Sequence, residues 1–158
     1  MRLTALNMSL KKIHKKTFDQ LTNQELYDIL DLRYTVFMME QNIIYVDTDY
    51  KDQISMHYFI KDQNGKVISY LRVIPKGKKY KEYAVGRVVT DQSYRKKGLA
   101  TLLMETVKKD LPNEAIRISG QAYLKDYYEN LGFQTIKGPY IEEGILHYEM
   151  LYQPKAKN

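Results

Sequence analysis

The chain has no cysteine. Disulfides, thiolate metal sites and a cysteine nucleophile are thereby excluded, so any catalysis runs on other groups, and a cysteine-free chain suits a reducing compartment. No apolar run reaches the roughly 18 residues that a membrane helix needs. The first residues also lack the apolar core and small-residue cleavage site of a secretory signal. A soluble cytoplasmic protein with no membrane partner is the expectation. Acidic side chains are in deficit, 19 against 25 Lys and Arg, and the net charge of +6 steers anionic ligands toward the protein. Nucleic acid is one such anion. The lysines, however, are scattered through Lys11 to Lys16, Lys76 to Lys81, Lys96, Lys97 and the tail, without a helix-turn-helix, zinc or RNP signature. A solvated basic surface, or a ligand with several phosphates, accounts for them better.

At 158 residues the chain fits one domain, of a size that buries roughly 68–70% of its unfolded surface without a staple. We expect that domain to span residues 1–158, with residues 1–8 a disordered extension and residues 153–158 a frayed tail. Lys11 to Phe18 reads as a first strand. Thr22-Asn23-Gln24-Glu25 has the pattern of a capping box, opening a helix through Leu26, Ile29, Leu30, Arg33 and Phe37 that ends near Glu40. Residues 41–55 read as a loop. Met56 to Lys61 and Val67 to Ile74 flank an Asn64-Gly65 hairpin signal. A strand over Tyr83 to Thr90, a helix ending near Asp110 before Pro112, a strand over Ala115 to Ser119 and a helix over Gln121 to Asn130 follow. Gly132 then ends that helix before another strand, and Ile145 to Tyr152 is the last. The order β-α-β-β-β-α-β-α-β-β predicts a mixed α/β (α+β) sheet with helices on both faces.

The most informative stretch runs from Val88 to Met104. An apolar strand stops, turns through the basic loop Arg95-Lys96-Lys97-Gly98, and opens a helix on which Leu99, Leu102, Leu103 and Val107 recur at helical spacing. The first N–H groups of a helix lack intrahelical partners and carry the positive end of the macrodipole, so this is the outline of a phosphate cradle. Such loops also serve simply to start helices.

The string Arg95-x-x-Gly98-x-Ala100 after a strand resembles the acetyl-CoA-binding motif of the GNAT N-acetyltransferase superfamily. Further strings resemble the ElaA family within it: Leu32-Arg33-x-x-Val36-Phe37-x-x-Glu40-Gln41; Tyr45-x-Asp47-x-Asp49-x-x-Asp52 with His57; Gly86-Arg87-Val88; Gly120-Gln121-Ala122-x-Leu124 through Tyr127-Tyr128 to Gly132-Phe133; and Tyr140-x-Glu142-Glu143-Gly144-Ile145-x-His147-x-x-Met150. Glu143 and Leu146 stand where Asp and Pro are usual, and Tyr127 where Phe is. The first of these segments also resembles acyl-homoserine lactone synthases, which are usually longer. The GNAT resemblance implies a mostly antiparallel sheet splayed between its fourth and fifth strands. It also implies acetyl-CoA as co-substrate, with Val88, Val89 and Thr90 along the pantetheine arm and Arg95, Lys96, Lys97, Gly98, Leu99, Ala100 and Thr101 around the pyrophosphate. Gln121 stands near where many members use Asn to contact the cofactor.

Acetyl transfer to an amine needs a neutral nucleophile, a polarised carbonyl and a proton for the leaving thiolate. By the same resemblance Tyr128 is the candidate general acid; its alternative is packing of helix on sheet. Glu40 is a candidate base or amine anchor, alternatively an ion-pair glutamate. His147, an imidazole of ordinary pKa about 6.5, is a candidate proton shuttle or a hydrogen-bonded core residue, and His57 shares that ambiguity. Arg33 and Arg87 are either anion binders or partners of Asp47, Asp49 and Asp52. That acidic run has the outline of a calcium loop, but Lys51 occupies a ligand position and Asp52 the place of the sharp-turn glycine, so no metal is expected. Its charge, with that of Glu40, favours a cationic acceptor. The expected partners are a small-molecule or peptide amine and, through an exposed final strand, a second copy of the chain. A non-catalytic acyl-CoA-binding module is the alternative function.

Overall fold

The computed structural model describes residues 12–155. It contains β1 (His14–Thr17), α1 (Asn23–Tyr34), β2 (Met56–Lys61), β3 (Val67–Ile74), β4 (Tyr83–Thr90), α2 (Leu99–Asp110), β5 (Ile116–Gln121), α3 (Lys125–Asn130), β6 (Phe133–Glu142) and β7 (Ile145–Tyr152). The strands form one sheet in the order β1-β2-β3-β4-β5-β7-β6, antiparallel except where β4 meets β5. The expected mixed fold is therefore the one observed.

Side-chain alternation sorts the sheet's residues to two faces. On one face Tyr58, Ile60, Leu71 and Val73 pack with Leu103, Met104 and Val107 of α2 and with Tyr128 of α3. On the other, Phe59, Val67, Tyr70 and Val89 meet Ile29, Leu32 and Val36 from the first helix. All eight residues of β3 are buried, as a central strand covered on both faces must be.

The predicted capping box is present: Thr22 Oγ1 accepts from Glu25 N–H at 3.0 Å and Glu25 Oε1 from Thr22 N–H at 2.9 Å. Three segments differ from the sequence reading. The first strand is shorter, because Phe18–Gln20 turns away in a 3₁₀ turn closed by Gln20 Oε1 on the Thr17 N–H. The first helix reaches Glu40, but Thr35–Glu40 is π-helical, with Gln41 N–H bonded to Val36 C=O at 3.1 Å. Gln121 ends β5 rather than starting a helix, and a 3₁₀ turn over Ala122–Leu124 leads into the short α3. The expected extension over residues 1–8 lies outside the described residues; Gln153–Lys155 follow β7 without regular structure. Among the described residues, no helix is long and apolar enough to cross a membrane.

Candidate functional site

Strands β4 and β5 pair only through Tyr83 with Ile116 and Ala84 with Arg117; beyond those pairs they part. The parting coincides with a bulge in β4. Gly86 lies opposite Arg72 and Val89 opposite Tyr70, so Arg87 and Val88 together face the single residue Leu71. Arg87 has φ of +54°, a conformation a non-glycine residue holds only when its surroundings fix it. Asp47 does so: Arg87 Nη2 donates to its carbonyl at 2.8 Å, and Arg87 Nε lies 2.8 Å from its carboxylate. The gap opens into a cleft of about 630 Å³ whose walls include Val85 to Val88 of β4, Ile118, Ser119 and Gln121 of β5, and the loop over residues 43–48, a size suited to a small-molecule site.

At one end of the gap the chain enters α2. Gly98, with φ of +76°, is the residue preceding the helix, no side chain caps it, and a β-carbon there would meet no atom within 4 Å. The first bond of the helix runs from Leu102 N–H to Gly98 C=O at 2.9 Å, which leaves the N–H groups of Leu99, Ala100 and Thr101 without intrahelical partners. Open space over unpartnered donors at a positive helix end fits a pyrophosphate. Lys96 and Lys97 stand exposed beside it. Arg95 is held differently: its Nε donates to Thr90 C=O at 3.0 Å and its Nη2 to Glu40 at 2.6 Å. Several of the other cradle residues have their side chains committed elsewhere and offer main chain only. Leu99 and Val89 are buried in the two cores, Thr90 Oγ1 shares a hydrogen bond with Ser69, and Thr101 Oγ1 with the Tyr127 hydroxyl at 2.9 Å.

Tyr128 reaches the cleft from α3. Its ring packs edge-on against Tyr127 and Phe133 and lies over Gly120, where a β-carbon would sit 3.0 Å from the ring. Gly120 thus makes the room Tyr128 occupies. Burial pushes the phenol pKa up, so the hydroxyl keeps its proton at neutral pH. Gln121 also lines the cleft; its Nε2 donates to Gln41 at 2.8 Å, while its Oε1 is buried without a partner. His147 lines the cleft from β7 with Nδ1 2.7 Å from Ile145 C=O and Nε2 3.5 Å from Glu142. Glu40 is not among the residues around the cleft, and its carboxylate faces Arg95 at the cradle.

The acidic loop is a structural clamp. Asp52 Oδ1 accepts from Arg33 Nη1 at 2.7 Å and from Arg72 Nη1 at 2.8 Å; Asp47 bonds Arg33 Nε at 2.8 Å; Asp49 binds Arg72 through both oxygens. Arg33 and Arg72 are 0% and 1% exposed, a burial tolerable only because three carboxylates and three guanidinia, Arg87 included, neutralise one another. This corrects the expectation that Asp47, Asp49, Asp52 and Glu40 attract a cationic acceptor, since every one of these charges is already matched. His57 belongs to the same structure. Its Nε2 lies 2.9 Å from the Asp52 carbonyl, which can only accept, so Nδ1 accepts a hydrogen bond from the Tyr70 hydroxyl at 2.7 Å, and burial lowers its pKa, keeping it neutral.

Two residues of the cleft, Ser119 and Glu142, and one of the clamp, Arg72, carried no role in the sequence reading. Ser119 Oγ lies 2.6 Å from the Tyr140 hydroxyl and donates to Glu142 Oε2 at 2.8 Å. The string around Tyr140 and Glu142 was the only sequence signal for this group.

Residues 9–153 match the family model described as an acetyltransferase (GNAT) domain. A UPF0039 protein of Schizosaccharomyces pombe is 36% identical over 140 residues, covering 85% of this chain and 92% of its own. Among solved structures, an acyl-CoA N-acyltransferase from Pseudomonas aeruginosa superposes with a TM-score of 0.82 at 30% identity, covering 89% of this chain and 98% of that one. Escherichia coli ElaA superposes with a TM-score of 0.80 at 26% identity, covering 90% and 99%. With its parted strands, its cradle at the start of α2 and these likenesses in agreement, the chain belongs to the GNAT acyltransferase family, in the group of ElaA and the UPF0039 proteins.

Proposed function

We propose that this protein is an N-acetyltransferase, passing an acetyl group from acetyl-CoA to a primary amine of a small molecule or peptide by direct attack in a ternary complex. The observation that carries the reading is the gap between β4 and β5, which ends on the unpartnered amides of Leu99, Ala100 and Thr101. Pantetheine is slender enough for such a gap, and a pyrophosphate matches the donors at its end. Lys96 and Lys97 add charge at the rim. Bound acetyl-CoA supplies an activated acyl carbon and a thiolate leaving group.

The chain's own groups supply the rest. Val88, left by the bulge without a ladder partner of its own, offers a backbone N–H to the developing oxyanion, a contribution of about 2.7–4 kcal/mol in other acyl-transfer sites. Tyr128, protonated and at the cleft, donates to the thiolate. The buried, unpartnered Oε1 of Gln121 accepts an amide N–H of the pantetheine arm. Glu40 fixes Arg95 in the cradle, and His147 is the proton acceptor that faces the cleft.

Calorimetry with coenzyme A and a thiol-release assay over a panel of amines test this. Coenzyme A binds, thiol release requires an amine, and Tyr128→Phe lowers kcat by about 10²-fold or more at unchanged coenzyme A affinity. Absence of affinity for coenzyme A and its acyl derivatives overturns the function; equal turnover by Tyr128→Phe removes that residue from the reaction.

A further inference from the structure

Within the cleft two hydrogen-bond acceptors face each other with no donor between them. His147 is 8% exposed, and its Nδ1 sits 2.7 Å from the Ile145 carbonyl. A carbonyl only accepts, so Nδ1 carries the proton and the Nε2 of the neutral ring presents a lone pair. That lone pair lies 3.5 Å from Glu142 Oε2. The carboxylate is fixed from behind by Ser119, whose hydroxyl donates to it at 2.8 Å while sharing a 2.6 Å hydrogen bond with Tyr140. Tyr140 also stacks on the His147 ring, with centroids 6.2 Å apart. Among the described residues no lysine or arginine lies within ion-pair distance of Glu142, although Lys79 of the same cleft is near enough to feel its charge, whereas Asp47, which also lines the cleft, is already matched by Arg33 and Arg87. The cleft therefore holds one oriented carboxylate and one oriented imidazole nitrogen, both short of a donor. A primary ammonium, three donors and no acceptor, satisfies both groups.

Part of the cleft lining is apolar and exposed. Ile44, Tyr45 and Val46 line the cleft yet are 69%, 58% and 81% exposed. They follow the π-helical segment that brings Phe37 and Met38 to the same cleft. Apolar side chains on a concave surface are matched by an apolar ligand body.

We propose that Glu142 and His147 form the seat of the acceptor's primary ammonium, and that the acceptor is an amine carried on an apolar or aromatic body. This rests on the acyl-transfer reading above. His147 Nε2 takes one proton from the ammonium and passes it to solvent. The neutral nitrogen then bonds to the acyl carbon as the carbon–sulfur bond breaks, the electron pair leaving on sulfur. The nitrogen sheds a second proton, which balances the one Tyr128 gives to the thiolate, so one proton is released per amide formed.

The test is calorimetric titration of 2-phenylethylamine and of its uncharged analogue 2-phenylethanol into the protein saturated with coenzyme A, with Glu142→Gln as the variant. That substitution keeps an oxygen for Ser119 and removes only the charge. The amine is expected to bind at least tenfold more tightly than the alcohol in the native protein and to lose that preference in Glu142→Gln, with coenzyme A affinity unchanged. The ¹⁵N resonance of His147 Nε2 is expected to move on adding amine and to stay on adding alcohol. Equal binding of amine and alcohol, or a preference that survives Glu142→Gln, overturns the seat while leaving the acyl-transfer reading intact. Tighter binding of 1,5-diaminopentane than of 2-phenylethylamine overturns the apolar body. Failure of coenzyme A itself to bind overturns the underlying reading instead.

Discussion

Replacing Asp52 with Asn removes one negative charge from the centre of the clamp and changes almost nothing in volume. A single oxygen, Asp52 Oδ1, accepts from both Arg33 and Arg72, at 2.7 and 2.8 Å, and both guanidinia are essentially sealed from water. Three carboxylates against three guanidinia become two against three, and the surplus positive charge has no solvent to screen it. Breaking a buried pair by removing one partner costs about 3–5 kcal/mol. For a domain of this size each kcal/mol lowers Tm by roughly 2–4 °C, so Asp52→Asn is expected to melt roughly 6–20 °C lower. Urea unfolding followed by far-ultraviolet circular dichroism measures the loss directly, as a shifted midpoint at constant slope. Glu105→Gln is the control. Glu105 makes only an exposed pair with Lys108, and its removal is expected to cost about 0.5 kcal/mol or less. A loss below about 1 kcal/mol for Asp52→Asn would refute the reasoning, because it would mean that the two arginines reach water or other anions.

Gly98→Glu puts a side chain with a carboxylate into the open space before α2 and forces a non-glycine residue to φ of +76°. Its backbone cost is about 1–2 kcal/mol by thermal melting, while calorimetric affinity for coenzyme A is expected to vanish; retained affinity would move the anion site elsewhere. Acid is expected to weaken the fold. Glu25, buried and held by Lys16, Lys61 and the Thr22 amide, has its pKa depressed to about 2, and Asp49 and Asp52 are likewise lowered by their arginines. A carboxylate depressed in the folded state stabilises it fully above the unfolded pKa and loses that contribution as pH falls through the folded value. The urea midpoint should therefore hold from neutral pH to about pH 5 and fall steeply between about pH 4 and pH 2; a flat profile there would show these carboxylates to be unpaired in solution.

Much of the frame could be read from residues whose local chemistry leaves few choices. The Asn64-Gly65 turn set the hairpin and hence the bounds of β2 and β3. Gly98 and Pro112 bracketed α2, and Thr22 with Glu25 opened α1. What escaped depends on contacts distant in sequence. The π turn at Thr35–Glu40 arises where the helix must still pack Val36 into the core while bringing Phe37 and Met38 to the cleft wall. The bulge at Arg87 exists because Asp47, forty residues earlier, holds that side chain in place. The same pairing decided between anion binder and structural partner for Arg33 and Arg87, a choice that composition leaves open. Glu142 stood in a recognised string, but that it has no ion-pair partner among lysines and arginines while Asp47 of the same cleft has two can be seen only in the folded chain.

Only two of the six residues of β5 pair with β4. A sheet sutured at one end is a structure in which ligand and backbone share the work of cohesion. Any molecule that slots between the strands supplies rungs the polypeptide left out, and the folded state gains RT ln(1 + [L]/Kd), about 2.7 kcal/mol at a hundredfold excess over Kd. The same opening that admits a substrate thus makes resistance to unfolding follow the supply of that substrate, so protein lifetime becomes a gauge of ligand abundance.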